Sequence, residues 1–210
     1  MDPYEIIREQ ILSCRLPPGA EIFEQELAKQ LGVSKSPIRE ALLRLRGQDL
    51  VDVRPRRGYR VRPISIKEAT EMYELRVMYE VACVSRVVDR ATDEEISSLK
   101  EFRKIPQEID LHGWVSVNRC FHSTLADLSG NSRLARVSKE LIEQFDRFTF
   151  ISGSQLKQPL NPEYLTQQHA ALIEAIEQRS KRSAQAAIKE HIELGRRRTI
   201  DYLQASPIVS

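Results

Sequence analysis

The chain has 210 residues, enough for one large or two small domains, and its 32 Lys+Arg against 30 Asp+Glu leave a formal charge of only +2, which excludes a wholesale polycation. With 41% hydrophobic and 6% aromatic residues it can bury a core, and no stretch approaches the roughly 20 apolar residues of a bilayer span, so a soluble globular protein is expected. The opening Asp2-Pro3-Tyr4-Glu5 lacks a basic n-region and an apolar h-region, which predicts a cytoplasmic location, and Cys14, Cys83 and Cys120 without CxxC spacing argue against a disulfide framework or a thiolate zinc site.

The first 65 residues read as three short helices and a hairpin. Ile7 and Ile11 share a helical face, Pro17-Pro18-Gly19 breaks the chain, and Leu27 with Leu31 marks a second helix closed by Gly32. A third helix follows, with Ser34 or Ser36 as its cap, Pro37 in its first turn, and Ile38, Leu42 and Leu45 as its buried stripe. Val51 and Val53, then Tyr59 and Val61, alternate with polar residues on either side of the turn Arg54-Pro55-Arg56-Arg57-Gly58, the pattern of a two-stranded wing. Between Val33 and Arg62 nine Lys+Arg face only three acids, an asymmetry that suggests a polyanion-binding module, with a solvated basic face as the bland alternative.

After a brief joint at Pro63 and Ser65, helical periodicity takes over and no strand pattern or fixed repeat competes. Six helices are predicted at roughly 66–90, 93–109, 112–128, 132–151, 163–178 and 182–204, broken by Asp93 as a cap, by Ser129-Gly130-Asn131, by the stretch from Gly153 to Pro162, and by Gln178-Arg179-Ser180-Lys181. The expected fold is therefore mainly α: a winged helix-turn-helix over residues 1–65 and an all-α bundle of about six helices over 66–210.

A helix-turn-helix inserts its second helix into the major groove, so that helix needs small or basic residues at its start and its apolar stripe behind. Lys35, Arg39 and Arg46 fall on one face of the third helix, opposite Ile38, Leu42 and Leu45. Ser34 and Ser36 can hold a phosphate with the free N–H groups of the helix start, Arg39 can take guanine O6 and N7 bidentately, and Gly58 would let the wing backbone approach the minor groove. The run from Leu27 to Leu42 (LAKQLGVSKSPIREAL), with Leu45, Leu50-Val51 and Arg56-Arg57-Gly58, resembles the winged helix-turn-helix of the GntR family of bacterial transcription regulators. The resemblance implies DNA contacts at Ser34, Lys35, Ser36, Arg39, Arg57 and Gly58; Lys35 stands where many members have Arg, and Gln25 where some have a basic residue, differences that bear on which operator is read.

Four histidines follow residue 110. His112 reads as an ordinary core or surface residue, but His169 and His191 lie eleven residues to either side of Ser180, so a helical hairpin turning there sets them at one level, and Asn118 and His122 are i, i+4 neighbours. Two such pairs facing across a bundle can hold one metal ion; three imidazoles around water or an anion are the alternative. Glu74-Leu75-Arg76 with Glu80, Asn118 to His122, Ser129-Gly130-Asn131, and the spacing of His169 and His191 resemble the helical FCD effector domain of the FadR-like branch of GntR regulators, six helices suiting its smaller, VanR-like version. That resemblance implies a divalent metal (Zn, Ni or Mn) held by Asn118, His122, His169 and His191, with the amide of Asn118 where an Asp is usual and hence weaker retention, and Arg76 as partner of an effector carboxylate. An intrahelical surface pair is the alternative for Arg76 and Glu80. Together these features predict a metabolite-responsive transcription regulator, a repressor by family habit, that binds double-stranded DNA at a palindromic operator as a homodimer, responds to a small organic acid, and is not an enzyme. A metal-dependent hydrolase, for which no general-base Asp or Glu is evident, and a ligand-independent architectural DNA-binding protein are the competing readings.

Overall fold

The first helix starts where the chain supplies both a cap and a preset φ: Asp2 Oδ1 accepts from the Tyr4 N–H at 3.1 Å, and Pro3 occupies the first helical position. The computed structural model describes residues 2–104, 108–153 and 162–205, and these divide after Ser65 into two compact units.

In the first unit, α1 (Pro3–Leu12), α2 (Glu24–Leu31) and α3 (Lys35–Gly47) pack their apolar stripes together with a three-stranded antiparallel sheet in the order β1 (Glu21–Ile22), β3 (Gly58–Val61), β2 (Val51–Arg54). Ile7, Ile11, Ile38, Leu42, Leu45, Leu50 and Val61 are wholly buried in this core, each adding about 1.5–3 kcal/mol of apolar burial. Gly32 ends α2 in the left-handed conformation at φ 67°, which frees the chain to turn directly into α3. Of the two serines expected as caps, Ser34 occupies the N-cap position of α3 with extended backbone, but its hydroxyl makes no cap hydrogen bond.

The wing pairs as the alternation predicts, Val53 opposite Tyr59 and Arg54 opposite Gly58. The third strand, β1, was not legible: two residues are too short to show an alternation, and the pairing of Glu21 with Arg60 and of Ile22 with Tyr59 defines it. This pairing explains Gly58 within the fold. Its φ is +87°, and a Cβ there would meet the Ile22 carbonyl oxygen at 2.7 Å.

The second unit contains, among the described residues, six α-helices: α4 (Ile66–Arg90), α5 (Asp93–Ser98), α6 (Leu111–Leu128), α7 (Ser132–Gly153), α8 (Pro162–Glu177) and α9 (Lys181–Ala205). Helix α9 runs antiparallel along α4, pinned by Tyr73 Oη to Thr199 Oγ1 at 3.0 Å and by Gln185 Nε2 to Ser85 Oγ at 2.8 Å. The turn between α8 and α9 is tied down by Arg179, which donates to the Val88 carbonyl at 3.1 Å and to Asp93 at 2.6 Å.

One expected helix is corrected. The segment predicted as 93–109 is a six-residue α5 followed by a 3-10 turn, Leu99–Arg103, with Lys104 extended and residues 108–110 outside any helix; residues 105–107 lie outside the described ones. The buried residues Ile96, Leu99 and Phe102 recur every three positions, the repeat that a 3-10 helix stacks on one face. Its cap is Thr92 rather than Asp93: Thr92 Oγ1 accepts from the Glu95 N–H at 3.2 Å and Glu95 Oε2 from the Thr92 N–H at 2.8 Å, a reciprocal capping box. The other predicted helices start and stop within two residues of those observed. No helix among the described residues is long and apolar enough to cross a membrane.

Candidate functional site

The N-terminal unit displays its cations on one side of α3 and on the wing. Ser34, Lys35, Ser36, Arg39 and Arg46 are exposed, as is Arg57 in the turn that Arg57 N–H closes onto the Arg54 carbonyl at 2.9 Å. Two of these cations are held from behind by α2. Arg39 donates through Nε to Glu24 Oε1 at 3.0 Å and through NH2 to Glu24 Oε2 at 2.9 Å, and Lys35 Nζ donates to Gln25 Oε1 at 3.3 Å. The hydrogen bonds from Arg39 hold the Glu24 carboxyl below the usual carboxylate range, against the opposing effect of burial. Glu24 was missed from the sequence, because a contact between residues fifteen positions apart leaves no periodic trace.

The C-terminal unit gathers the other predicted residues. Asn118 and His122 project from α6, His169 from α8 and His191 from α9, while Arg76 and Glu80 project from α4. All three histidines are buried, and one nitrogen of each lies within 4.8 Å of the others. His122 Nε2 and His191 Nε2 are 3.0 Å apart, and His169 Nε2 is 3.3 Å from Asn118 Oδ1. His169 is stacked on Phe121 at 4.1 Å and on Trp114 at 5.5 Å between ring centroids, which fixes its plane. His112 stands apart, exposed against Phe150, as its bland reading required.

The partners on the far side of each ring decide what the near side can do. His122 Nδ1 faces Glu80 Oε2 at 2.5 Å and His191 Nδ1 faces Gln168 Oε1 at 2.9 Å, so each ring donates outward and turns an Nε2 lone pair inward. Two lone pairs 3.0 Å apart repel unless a cation lies between them. Two donors sharing an ion at about 2.1 Å stand about 3.0–3.4 Å from each other, which matches both the His122–His191 and the His169–Asn118 separations. Burial pushes all three histidine pKa values below the ordinary value, keeping the rings in the neutral form that a metal requires. Glu80 and Gln168 are the outer partners that orient the His122 and His191 rings. These residues fit a divalent ion of the Zn, Ni or Mn type, with every inner donor uncharged.

Arg76 and Glu80 are not a surface pair: their side chains are 6% and 4% exposed, and Arg76 Nε donates to Glu80 Oε1 at 2.5 Å. Burial raises the Glu80 pKa, but the charges of Arg76 and His122 outweigh it and bring the value down to about 2. The Arg76 guanidinium lies over the Phe145 ring at 4.7 Å, and its NH2 is buried without a hydrogen-bond partner. Glu80 thus bridges the arginine and the histidine cluster, a link that the i, i+4 spacing of Arg76 and Glu80 does not reveal.

A basic winged helix-turn-helix, joined in one chain to a helical domain with a buried histidine cluster, defines a class: transcription regulators that pair a DNA-binding unit with a helical domain. Residues 3–61 match the bacterial regulatory proteins of the gntR family and residues 71–194 match the FCD domain, and the chain belongs to the GntR family, in its FCD-bearing branch. It is similar to the HTH-type transcriptional regulator YdhC of Bacillus subtilis, 27% identical over 90% of this chain and 85% of that one. The HTH-type transcriptional repressor RspR of Escherichia coli is 25% identical over 90% of this chain and 84% of its own. The solved structure of E. coli McbR/YncC shares the fold with a TM-score of 0.78 at 22% identity, covering 91% and 92% of the two chains. The chain is a transcription regulator, and its relatives are regulators rather than enzymes. GntR regulators bind DNA, and FCD domains bind small-molecule effectors and can bind metal.

Proposed function

We propose that this regulator is a repressor that binds a palindromic operator as a homodimer and is released or retained by a small organic acid sensed beside a divalent metal. In this reading Ser34, Lys35, Ser36, Arg39, Arg57 and Gly58 contact DNA. Asn118, His122, His169 and His191 hold the ion, and Arg76 takes the effector carboxylate. The observation that carries it is the buried chain from Arg76 through Glu80 to His122, which puts a cation with an unpartnered NH2 and a metal-ready cluster in one interior. A divalent ion among neutral donors keeps its full charge in a buried site. A carboxylate offsets that charge, and the ion when bound would supply a Lewis-acid point for it. Repression is supported by the name of RspR, and the palindrome by the two-fold symmetry that helix-turn-helix dimers share with their operators.

The test is a fluorescence titration of the full chain on duplexes selected from a random pool, with and without added Zn, Ni or Mn and a panel of small organic acids. One acid should change operator affinity by about 5–150-fold, and Arg76→Ala should abolish that response while unliganded operator binding stays within about twofold. Operator binding indifferent to every acid and metal would overturn the sensing role. Loss of operator binding in Arg76→Ala without ligand would make Arg76 structural.

A further inference from the structure

A guanidinium has two edges that can each present a pair of parallel N–H donors: the side edge of Nε and NH2, and the end edge of NH1 and NH2. In Arg39 the side edge is taken by Glu24, with both bonds near 3.0 Å at 3.0 and 2.9 Å, which leaves the end edge as a forked donor of the shape that guanine O6 and N7 accept. Exposure is graded in the same order, 19% for the Glu24 side chain and 62% for Arg39, so the carboxylate stands behind the arginine. The neighbouring pair differs. Lys35 has a single bond to an uncharged amide at 3.3 Å, which neither neutralises nor fixes it.

We infer that Glu24 is a specificity-determining positioning residue: it holds Arg39 with its end edge outward for one base pair and cancels its charge toward the phosphates. The inference rests on the reading that Arg39 contacts a base. Its physical consequence is a division of labour on the recognition helix. Lys35, which acts on the Glu24 carboxylate only through space, and the exposed Arg57 supply the salt-dependent attraction, whereas Arg39, hydrogen-bonded twice to Glu24, supplies discrimination with little of it.

The experiment uses the full chain, a duplex selected from a random pool by the parent protein, and all single base-pair substitutions of that duplex, with affinities measured over a range of salt. Arg39→Ala should flatten discrimination at one base pair, by about tenfold or more. Glu24→Ala should flatten the same position by about tenfold and at the same time strengthen binding to non-specific duplex, with a salt slope steeper by about one, because a cation is released. Glu24→Asp keeps the negative charge at the start of α2, so the helix is retained, but its shorter arm cannot reach both donors; it should reduce discrimination in the same place with an unchanged melting temperature. If Arg39→Ala flattens a position while both Glu24 variants keep the parent's profile, Glu24 has no positioning role. If Arg39→Ala itself leaves every position unchanged, the base contact and the inference fall together.

Discussion

Asn118 supplies a neutral oxygen where a carboxylate would bring charge to the His122, His169 and His191 cluster, and the two side chains differ by little in size. Asn118→Asp should therefore raise divalent-metal affinity, by about tenfold or more, in calorimetric titrations of metal-stripped protein. His169→Ala and His191→Ala should each remove the metal found by elemental analysis in both backgrounds, whereas His112→Ala, which alters an exposed ring outside the cluster, should not. Equal affinity for parent and Asn118→Asp would mean that residue 118 is not a ligand. The four candidate ligands were legible because each spacing has a geometric meaning on a helix: i, i+4 for Asn118 and His122, and mirror positions about Ser180 for His169 and His191. Glu80 against His122, Gln168 against His191 and Glu24 against Arg39 were not, since each depends on the register between two packed helices, which periodicity on either helix leaves open.

At the level of elements, the apolar stripes of α3, α4 and α9 and the punctuation at Gly32, Gly130 and Ser180 carry most of the fold in plain view. The failure at residues 93–109 has a local cause. A three-residue apolar recurrence is compatible with one face of an α-helix as well as with a 3-10 turn, and only the burial of Ile96, Leu99 and Phe102 together separates the two. The same segment contains two adjacent cap candidates, Thr92 and Asp93, and the structure gives them different duties. Thr92 closes the capping box, while Asp93 meets Arg179 at 2.6 Å from an almost fully exposed position. Thr92→Ala should cost about 0.5–2 kcal/mol in urea unfolding monitored by circular dichroism. Asp93→Ala should cost less, since exposed ion pairs contribute little. The reverse order would mean that the turn at Arg179, not the cap, anchors this corner.

For the whole molecule, the buried histidines set an acid limit that metal should move. In the unfolded chain each titrates near the ordinary value of 6.5, but in the fold burial keeps all three neutral to lower pH, so the unfolded state binds more protons below that value. Their contribution is complete above about pH 6.5 and is lost as pH falls toward the depressed folded values, by about 1.4 kcal/mol per pH unit for each ring that stays neutral. Glu80 adds a lower window: with a folded value of about 2, its contribution is lost only as pH drops from about 4.5 toward 2. Melting temperature should fall between pH 6.5 and 5 in metal-free protein. The fall should be smaller in His191→Gln, which lacks one of the rings, and should begin at lower pH with saturating Zn, because the ion competes with protons for the same nitrogens. A flat profile across that range would mean that the cluster opens to water.

The outer face of α4 bears on the proposed homodimer. Leu75 is 43% exposed and Met78 64%, and with the exposed Ala82 at helical spacing they form an apolar stripe on the outer side of α4, edged by the half-buried Met72 and Tyr79, while Arg76 and Glu80 are buried. Exposed Leu and Met scattered singly need no explanation, but a continuous stripe along a helix of 25 residues is suited to pairing with its own copy about a two-fold axis, where each side chain meets its symmetry mate's neighbours. The stripe shares its helix with Arg76, the proposed effector contact. A carboxylate that pulls on Arg76 from within would therefore act on the same rigid element that a partner copy grips from without. Met78→Glu places a charge at the middle of such a seam without touching the interior. It should convert a dimer to a monomer in sedimentation velocity and weaken palindromic operator binding by about a hundredfold or more, since each monomer then holds one half-site. Effector-induced thermal stabilisation should persist, because Arg76 and the histidines are unaltered. A dimer that survives Met78→Glu and Leu75→Glu together would move the interface to another face of the molecule.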